Sequence, residues 1–168
     1  NTCLDIKASL VQAGLFSNSS SDEAGNTWRI SPEPYFLSKE ETTFFHELGP
    51  KLLEFYSVLN RFYLDSAKGN FHPWFAEYLD AGKPQELIEF GRKKKMRQSL
   101  PSIIRPDVIP TENGFAMTEL DSVPGGFGLT SSLMSLYEDP AWEITGAGIP
   151  SLFHQMIESV SNKSSPNV

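Results

Sequence analysis

The sequence predicts an α+β protein in which helices pack on a small antiparallel β-hairpin. Three observations carry that expectation. Apolar residues recur every three or four positions from Phe44 to Phe62, the spacing of one helix face. Between Ile103 and Asp121 the pattern changes to two short runs on either side of Asn113-Gly114, a dipeptide that favours hairpin turns. Helical spacing then returns after Gly126. Helices, a hairpin and helices again, in that order, suggest an α+β layer arrangement.

Taken in order, Leu4 to Leu15 is expected as a short helix. Residues 17–27 (SNSSSDEAGNT) are small and polar without periodicity, which reads as a loop or a poorly ordered stretch. Thr27 to Leu37 holds Trp28, Ile30, Tyr35 and Phe36, but Pro32 and Pro34 confine it to an edge strand or an extended segment. Residues 1–37 are therefore expected as an irregular N-terminal segment, 38–160 as the folded part and 161–168 as a polar tail.

Ser38-Lys39-Glu40-Glu41 is a capping box, with the serine at the N-cap and a glutamate three residues on. Phe44, Leu48, Leu52, Phe55, Leu59 and Phe62 then line one face of a helix reaching about Asp65. Gly49-Pro50 either kinks it or divides it in two, the second helix starting on the proline. His46, beside the stripe, is expected to be a packed and satisfied side chain rather than a ligand.

Phe71 to Leu79 reads as an aromatic helix closed by Ala81-Gly82, with Trp74 and Phe75 packing rather than stacking on a base. Gln85 to Gln98 is expected as a third helix. It ends in the one basic cluster, Arg92-Lys93-Lys94-Lys95 and Arg97. The favoured reading is a solvated face where cations suit the helix dipole; the other is a hand on a phosphate. Leu129, Leu133, Leu136 and Tyr137 mark a further helix, and Ile149 to Val160 the last, with Pro150 near its first turn.

A chain of 168 residues is long enough for one domain with a proper core. Its net charge of −7 and pI near 4.9 argue against a nucleic-acid or anionic-membrane binder, since either needs a cationic surface. The single cysteine, Cys3, leaves neither a disulfide framework nor a thiolate set for zinc, so a reducing, cytoplasmic compartment is expected. Asn18-Ser19-Ser20 and Asn162-Lys163-Ser164 match the glycosylation sequon, a pattern short enough to arise by chance, and no secretory feature accompanies them. No apolar run is long enough to cross a bilayer. The chain starts at Asn1 without a methionine, as a processed chain or a piece of a longer one does.

The chemistry concentrates in the hairpin, whose strands carry Arg105, Asp107, Glu119 and Asp121. Side chains alternate across a strand, so the loop length decides which of them share a face. A loop of Asn113-Gly114 alone puts Asp107 opposite Leu120 and on the other face from Glu119. A loop of Glu112-Asn113-Gly114 pairs Thr111 with Phe115, Asp107 with Glu119 and Arg105 with Asp121. Only the second gives two consistent faces. Ile104, Pro106, Val108, Ala116, Thr118 and Leu120 form one, and the four charged residues form the other. Three carboxylates on one face repel one another unless a cation joins them. Mg²⁺, which takes oxygen ligands and keeps room for waters and phosphates, suits Asp107, Glu119 and Asp121. The competing reading is an ion-pair ladder on an exposed face, with Arg105 bridging Asp121 and nothing bound.

Pro124-Gly125-Gly126-Phe127-Gly128 follows directly and opens a helix. Amides at a glycine-rich helix start favour anions, so Gly125, Gly126 and Gly128 are candidate phosphate contacts. A metal face followed by an anion cradle is the equipment of phosphoryl chemistry.

The run Ile-Arg-Pro-Asp, Asn-Gly, Glu-Leu-Asp-Ser-Val-Pro-Gly-Gly-Phe-Gly resembles the metal-binding segment of ATP-grasp ligases. It looks closer to their circularly permuted members, the relatives of glutathionylspermidine synthase. The resemblance implies ATP-dependent ligation of a small-molecule carboxylate to an amine through an acyl phosphate. It also implies that Asp107, Glu119 and Asp121 hold two Mg²⁺ ions bridging the phosphates of ATP, the co-substrate. Arg105 would steady the transferred phosphoryl group, and the Gly125-Gly126 amides would sit over the developing oxyanion. Asp121 stands where the family usually has asparagine and adds a charge. The match covers about a fifth of the chain, and no lysine here can be assigned to gripping the nucleotide. An ATP-grasp enzyme needs far more chain than this, so the implied partner is the remainder of a parent enzyme, and this chain alone is expected to be inactive.

Pro106-Asp107 and Glu119-Leu120-Asp121 also resemble the PD-(D/E)xK nuclease core, with Asp121 where that family places lysine. A non-catalytic helical module with an acidic surface hairpin is the third reading.

Overall fold

The computed structural model describes residues 2–12, 30–137 and 148–165. In chain order these form α1 (Thr2–Gln12), α2 (Lys39–Ala67), α3 (Pro73–Asp80), α4 (Gln85–Gly91), a 3₁₀ turn (Lys94–Met96), β1 (Arg105–Thr111), β2 (Gly114–Asp121), α5 (Phe127–Ser135) and α6 (Gly148–Ser161). The α+β class is as expected. The loop at 17–27, the sequon at Asn18 and Trp28 lie outside the described residues. Two compact units divide the chain: Asn1–Ser38 with Gly125–Val168, and Lys39–Pro124.

In the second unit, α2 runs unbroken for 29 residues with Pro50 inside it, so neither a division at Gly49 nor a fresh start at Pro50 occurs. Glu40 and Glu41 lie in its first turn, where negative charge suits the dipole. The apolar stripe faces inward in part: Leu52 is buried and Leu48, Leu59 and Phe62 are half-buried, while Phe44 and Phe55 are exposed. His46 is exposed, contrary to the expectation of a packed side chain. It lies two positions before Leu48, on the solvent side of that stripe.

Helix α3 begins with Pro73 in its first turn, and its N-cap residue His72 makes no side-chain cap. Ser66 of α2, 4 % exposed, supplies one instead. The amide of Ala76 donates to Ser66 Oγ at 3.0 Å, and Ser66 Oγ donates to the His72 carbonyl at 2.6 Å. Phe62 stacks on Phe71 with ring centroids 5.0 Å apart, and Phe75 meets Phe62 edge-on at 6.2 Å. Phe75 therefore packs as expected, whereas Trp74, expected to pack as well, is 58 % exposed.

The third helix is shorter than its pattern suggested. α4 ends at Gly91, Lys93 is extended, and only the 3₁₀ turn carries the basic run further. Glycine at the end of α4 weakens continuation, and four successive cations after it repel one another on a helix surface. Arg92 also has a partner elsewhere, described below.

β1 and β2 form a two-stranded antiparallel sheet. Pro106 and Pro110 share a parity along β1, so both can occupy positions whose N–H would face away from the single partner strand. The face bearing Phe115 meets α2: its ring lies 5.3 Å from Phe44 and 4.9 Å from Phe45. In the first unit, Ile6 and Leu10 of α1 are buried and Phe127 of α5 packs on Phe153 of α6 at 5.0 Å. The Tyr137 hydroxyl donates to the Ser31 carbonyl at 2.9 Å.

Candidate functional site

The charged end of the hairpin has the expected pairing. Arg105 lies opposite Asp121, Pro106 opposite Leu120 and Asp107 opposite Glu119. The turn end does not. Thr111 pairs with Gly114 rather than Phe115, leaving a two-residue turn of Glu112 and Asn113, and Val108 pairs with Met117. A bulge between Asp107 and Val108 reconciles the two halves, with Thr118 as the extra residue on β2. The Thr118 hydroxyl donates to the Asp107 carbonyl at 3.1 Å, closing the bulge. Gly114 adopts φ 110°, and the Thr111 hydroxyl, which accepts from the Asn113 amide, donates to its carbonyl. The bulge revises the apolar face. Pro106, Val108 and Pro110 pair with Leu120, Met117 and Phe115, while Ala116 falls opposite Ile109 on the side of Arg105 and Asp107. Ala116 is thus not a member of the apolar face, and Thr118 has no cross-strand partner.

On the charged face, Arg105 Nε donates to Asp107 Oδ1 at 3.2 Å, and Arg105 lies 3.5 Å from Asp121 Oδ2. The Arg105 and Asp107 side chains are each 46 % exposed and that of Asp121 28 %, so the face is open to solvent. Asp121 is further fixed by the Val123 amide, which donates to its Oδ1 at 2.8 Å. Glu119 is exposed and makes no ion pair among the described residues. One guanidinium therefore contacts two of the three carboxylates while cancelling one charge, and the third stands beside them.

Mg²⁺ takes hard oxygen ligands and is commonly held by one or two carboxylates plus phosphates rather than by an all-protein cage. Asp107 and Glu119, directly opposed, supply that kind of ligand. No group of three His, Cys, Asp or Glu side chains placed to hold a metal ion is found among the described residues, so Asp107, Glu119 and Asp121 are not gathered into one. An ion held by the Asp107–Glu119 pair would have to be completed by phosphate or water oxygens.

The glycines Gly125, Gly126 and Gly128 belong to the first unit. Gly126 is the N-cap of α5 in the left-handed region, φ 77°, a conformation that glycine adopts without strain. No side chain caps this start, and the first intrahelical bond runs from the Thr130 amide to the Gly126 carbonyl at 3.1 Å. The amides of Phe127 and Gly128 precede that bond. Gly125 already has a partner.

The polar cluster that the sequence did not announce joins Tyr63, Asp80 and Arg92. The Tyr63 hydroxyl donates to Asp80 Oδ1 at 2.8 Å, Arg92 donates to Asp80 Oδ2 at 2.5 Å, and Arg92 Nε donates to the Tyr63 oxygen at 3.2 Å. Burial raises the Tyr63 phenol above its ordinary 10.0, opposed by the hydrogen bond from Arg92 and helped by the one to Asp80. That hydrogen bond to Tyr63 is the main reason the Arg92 guanidinium is also raised. The cluster ties α2, α3 and the end of α4 together and is satisfied within itself. Its signal in sequence is only the first arginine of a basic run, next to a glycine.

Comparison with family models, curated proteins and solved structures returned no match to this chain. The class that fold and site define is an α+β protein with an open, charged two-stranded hairpin.

Proposed function

We propose that this chain carries the metal- and phosphate-binding segment of an ATP-grasp-type ligase, which joins a carboxylate to an amine at the expense of ATP. The observation that supports it is the pairing of Asp107 with Glu119 and of Arg105 with Asp121 on one exposed face. Asp107, Glu119 and Asp121 are the residues that would hold Mg²⁺. Bound there, the ion would neutralise phosphate charge and align the phosphoryl group for transfer. Arg105 would exchange the oxygens of Asp107 and Asp121 for phosphate oxygens at small cost, because an exposed ion pair is worth at most about 1 kcal/mol. The roles of Gly125, Gly126 and Gly128 at the phosphates rest on the sequence pattern and on the uncapped start of α5, and are assigned separately from the metal.

Isothermal titration with ATP and Mg²⁺ tests the metal assignment. Asp107→Asn and Glu119→Gln should each weaken Mg²⁺-dependent ATP binding at least tenfold while leaving any Mg²⁺-independent binding alone. Tight ATP binding that survives both substitutions would place the nucleotide elsewhere. The nuclease reading would be favoured by Mg²⁺-dependent cleavage of DNA that Asp107→Asn abolishes.

A further inference from the structure

The basic run attracts notice in sequence, but the cavity beside it takes only Arg97 from that run and its other cations from α2 and the residue that follows it. A cavity of about 390 Å³ lies between the C-terminal half of α2 and the segment after the 3₁₀ turn, and Arg61, Lys68 and Arg97 line it. Asp65 is the one carboxylate in its wall. Three positive charges against one negative leave a net +2 in a concave surface of a chain whose net charge is −7.

The arrangement is held by the backbone. Asn60 Nδ2 donates to the Arg97 carbonyl at 2.8 Å, fastening the far wall to α2 across 37 residues of sequence. Arg61 and Lys68 make no ion pair among the described residues, and Asp65 makes none with either. Like charges gathered in a concavity raise each other's energy, and the low-dielectric wall focuses their field on an incoming anion. A solvated face would spread such cations over a convex surface; here they come from two segments onto one space.

We propose that this cavity binds a phosphate dianion, either inorganic phosphate or the phosphoryl group of a small phosphate monoester. The volume lies within the range of small-ligand sites. A monoester is close to doubly charged at neutral pH, because its second ionisation is near pH 6. That charge matches the net +2. Arg61 carries the forked donors that pair with phosphate oxygens, and Arg97, whose Nε donates to the Arg92 carbonyl at 3.4 Å, would add its remaining N–H groups. The site is independent of the hairpin and of the ATP-grasp reading.

Titration of the whole chain with inorganic phosphate at low ionic strength, read by calorimetry, tests it. Arg61→Gln with Lys68→Gln should weaken binding at least tenfold, and Asp65→Asn should tighten it. Acetate, a monoanion of similar size, should bind at least tenfold more weakly than phosphate. Asp107→Asn and Glu119→Gln should change nothing, which separates this cavity from the hairpin. If circular dichroism shows the double variant unfolded, Arg97→Gln serves in its place. Glycerol phosphate binding tighter than inorganic phosphate would assign the site to an ester, and equal or weaker binding to the free ion. Failure of the wild-type chain to bind phosphate overturns the proposal, as does affinity unchanged in the Arg61 and Lys68 variant or lost in the hairpin variants.

Discussion

Arg105 shows how one side chain can hold a carboxylate face together without a metal. It touches Asp107 and Asp121 from an exposed position, so its contribution to folding is small, about 1 kcal/mol at most, while its effect on a cation is large. Arg105→Gln should leave thermal stability nearly unchanged yet tighten Mn²⁺ binding, a probe for Mg²⁺, several-fold by electron paramagnetic resonance, since three carboxylates then lack their offset. Asp80 is the opposite case. Its carboxylate, 13 % exposed, takes hydrogen bonds from Tyr63 and Arg92, and Asp80→Ala should cost roughly 1–3 kcal/mol in urea unfolding because both donors lose their acceptor. Tyr63 sets the alkaline limit. A phenol whose folded value is raised contributes stability that is fully present below its unfolded value near 10 and is lost as pH rises through the folded one. Unfolding scans should therefore show stability falling above about pH 10, and less steeply in Tyr63→Phe. Of these residues, Arg105 was legible because strand parity determines its partners. Tyr63 and Asp80 were not, because their meeting depends on how three helices pack, and spacing along the chain does not report that.

Among the elements, α2 was legible from its stripe and its capping-box sequence, since both are local. The end of α4 was not, because a helical apolar period says nothing of a glycine followed by four cations that repel one another. The turn end of the hairpin was misjudged for a similar reason: a bulge changes the count by one and has no composition of its own. Ser66 is the element-scale test. It replaces the absent N-cap of α3 from a neighbouring helix, so Ser66→Ala should cost about 1–2 kcal/mol. Hydrogen exchange should speed first at the Ala76 amide.

On the scale of the whole molecule, the described part keeps few apolar side chains buried: Ile6, Leu10, Leu52 and Ala76. Tyr35, Trp74, Tyr78 and Val123 are more than half exposed. At neutral pH the net charge of −7 keeps such surfaces apart. As pH falls toward the pI near 4.9 that repulsion vanishes, and sedimentation should show self-association rising between about pH 7 and 5, reversed by returning to pH 7. The charge itself was readable from composition. Which aromatics stay outside was not, because the same stripe that packs at Phe62 leaves Phe55 48 % exposed a few turns away.

Thr118 is a spacer whose removal the hairpin could absorb. Counting from the turn, Val108 meets Met117; counting from the charged end, Asp107 meets Glu119; and only Thr118 stands between those two tallies. A chain lacking it would zip into a regular ladder with every other pair kept, Arg105 and Asp121 included. What the residue adds is therefore not a partner but an angle, the local coiling that a bulge imparts. It lets the turn and the charged end face different directions while sharing one ribbon.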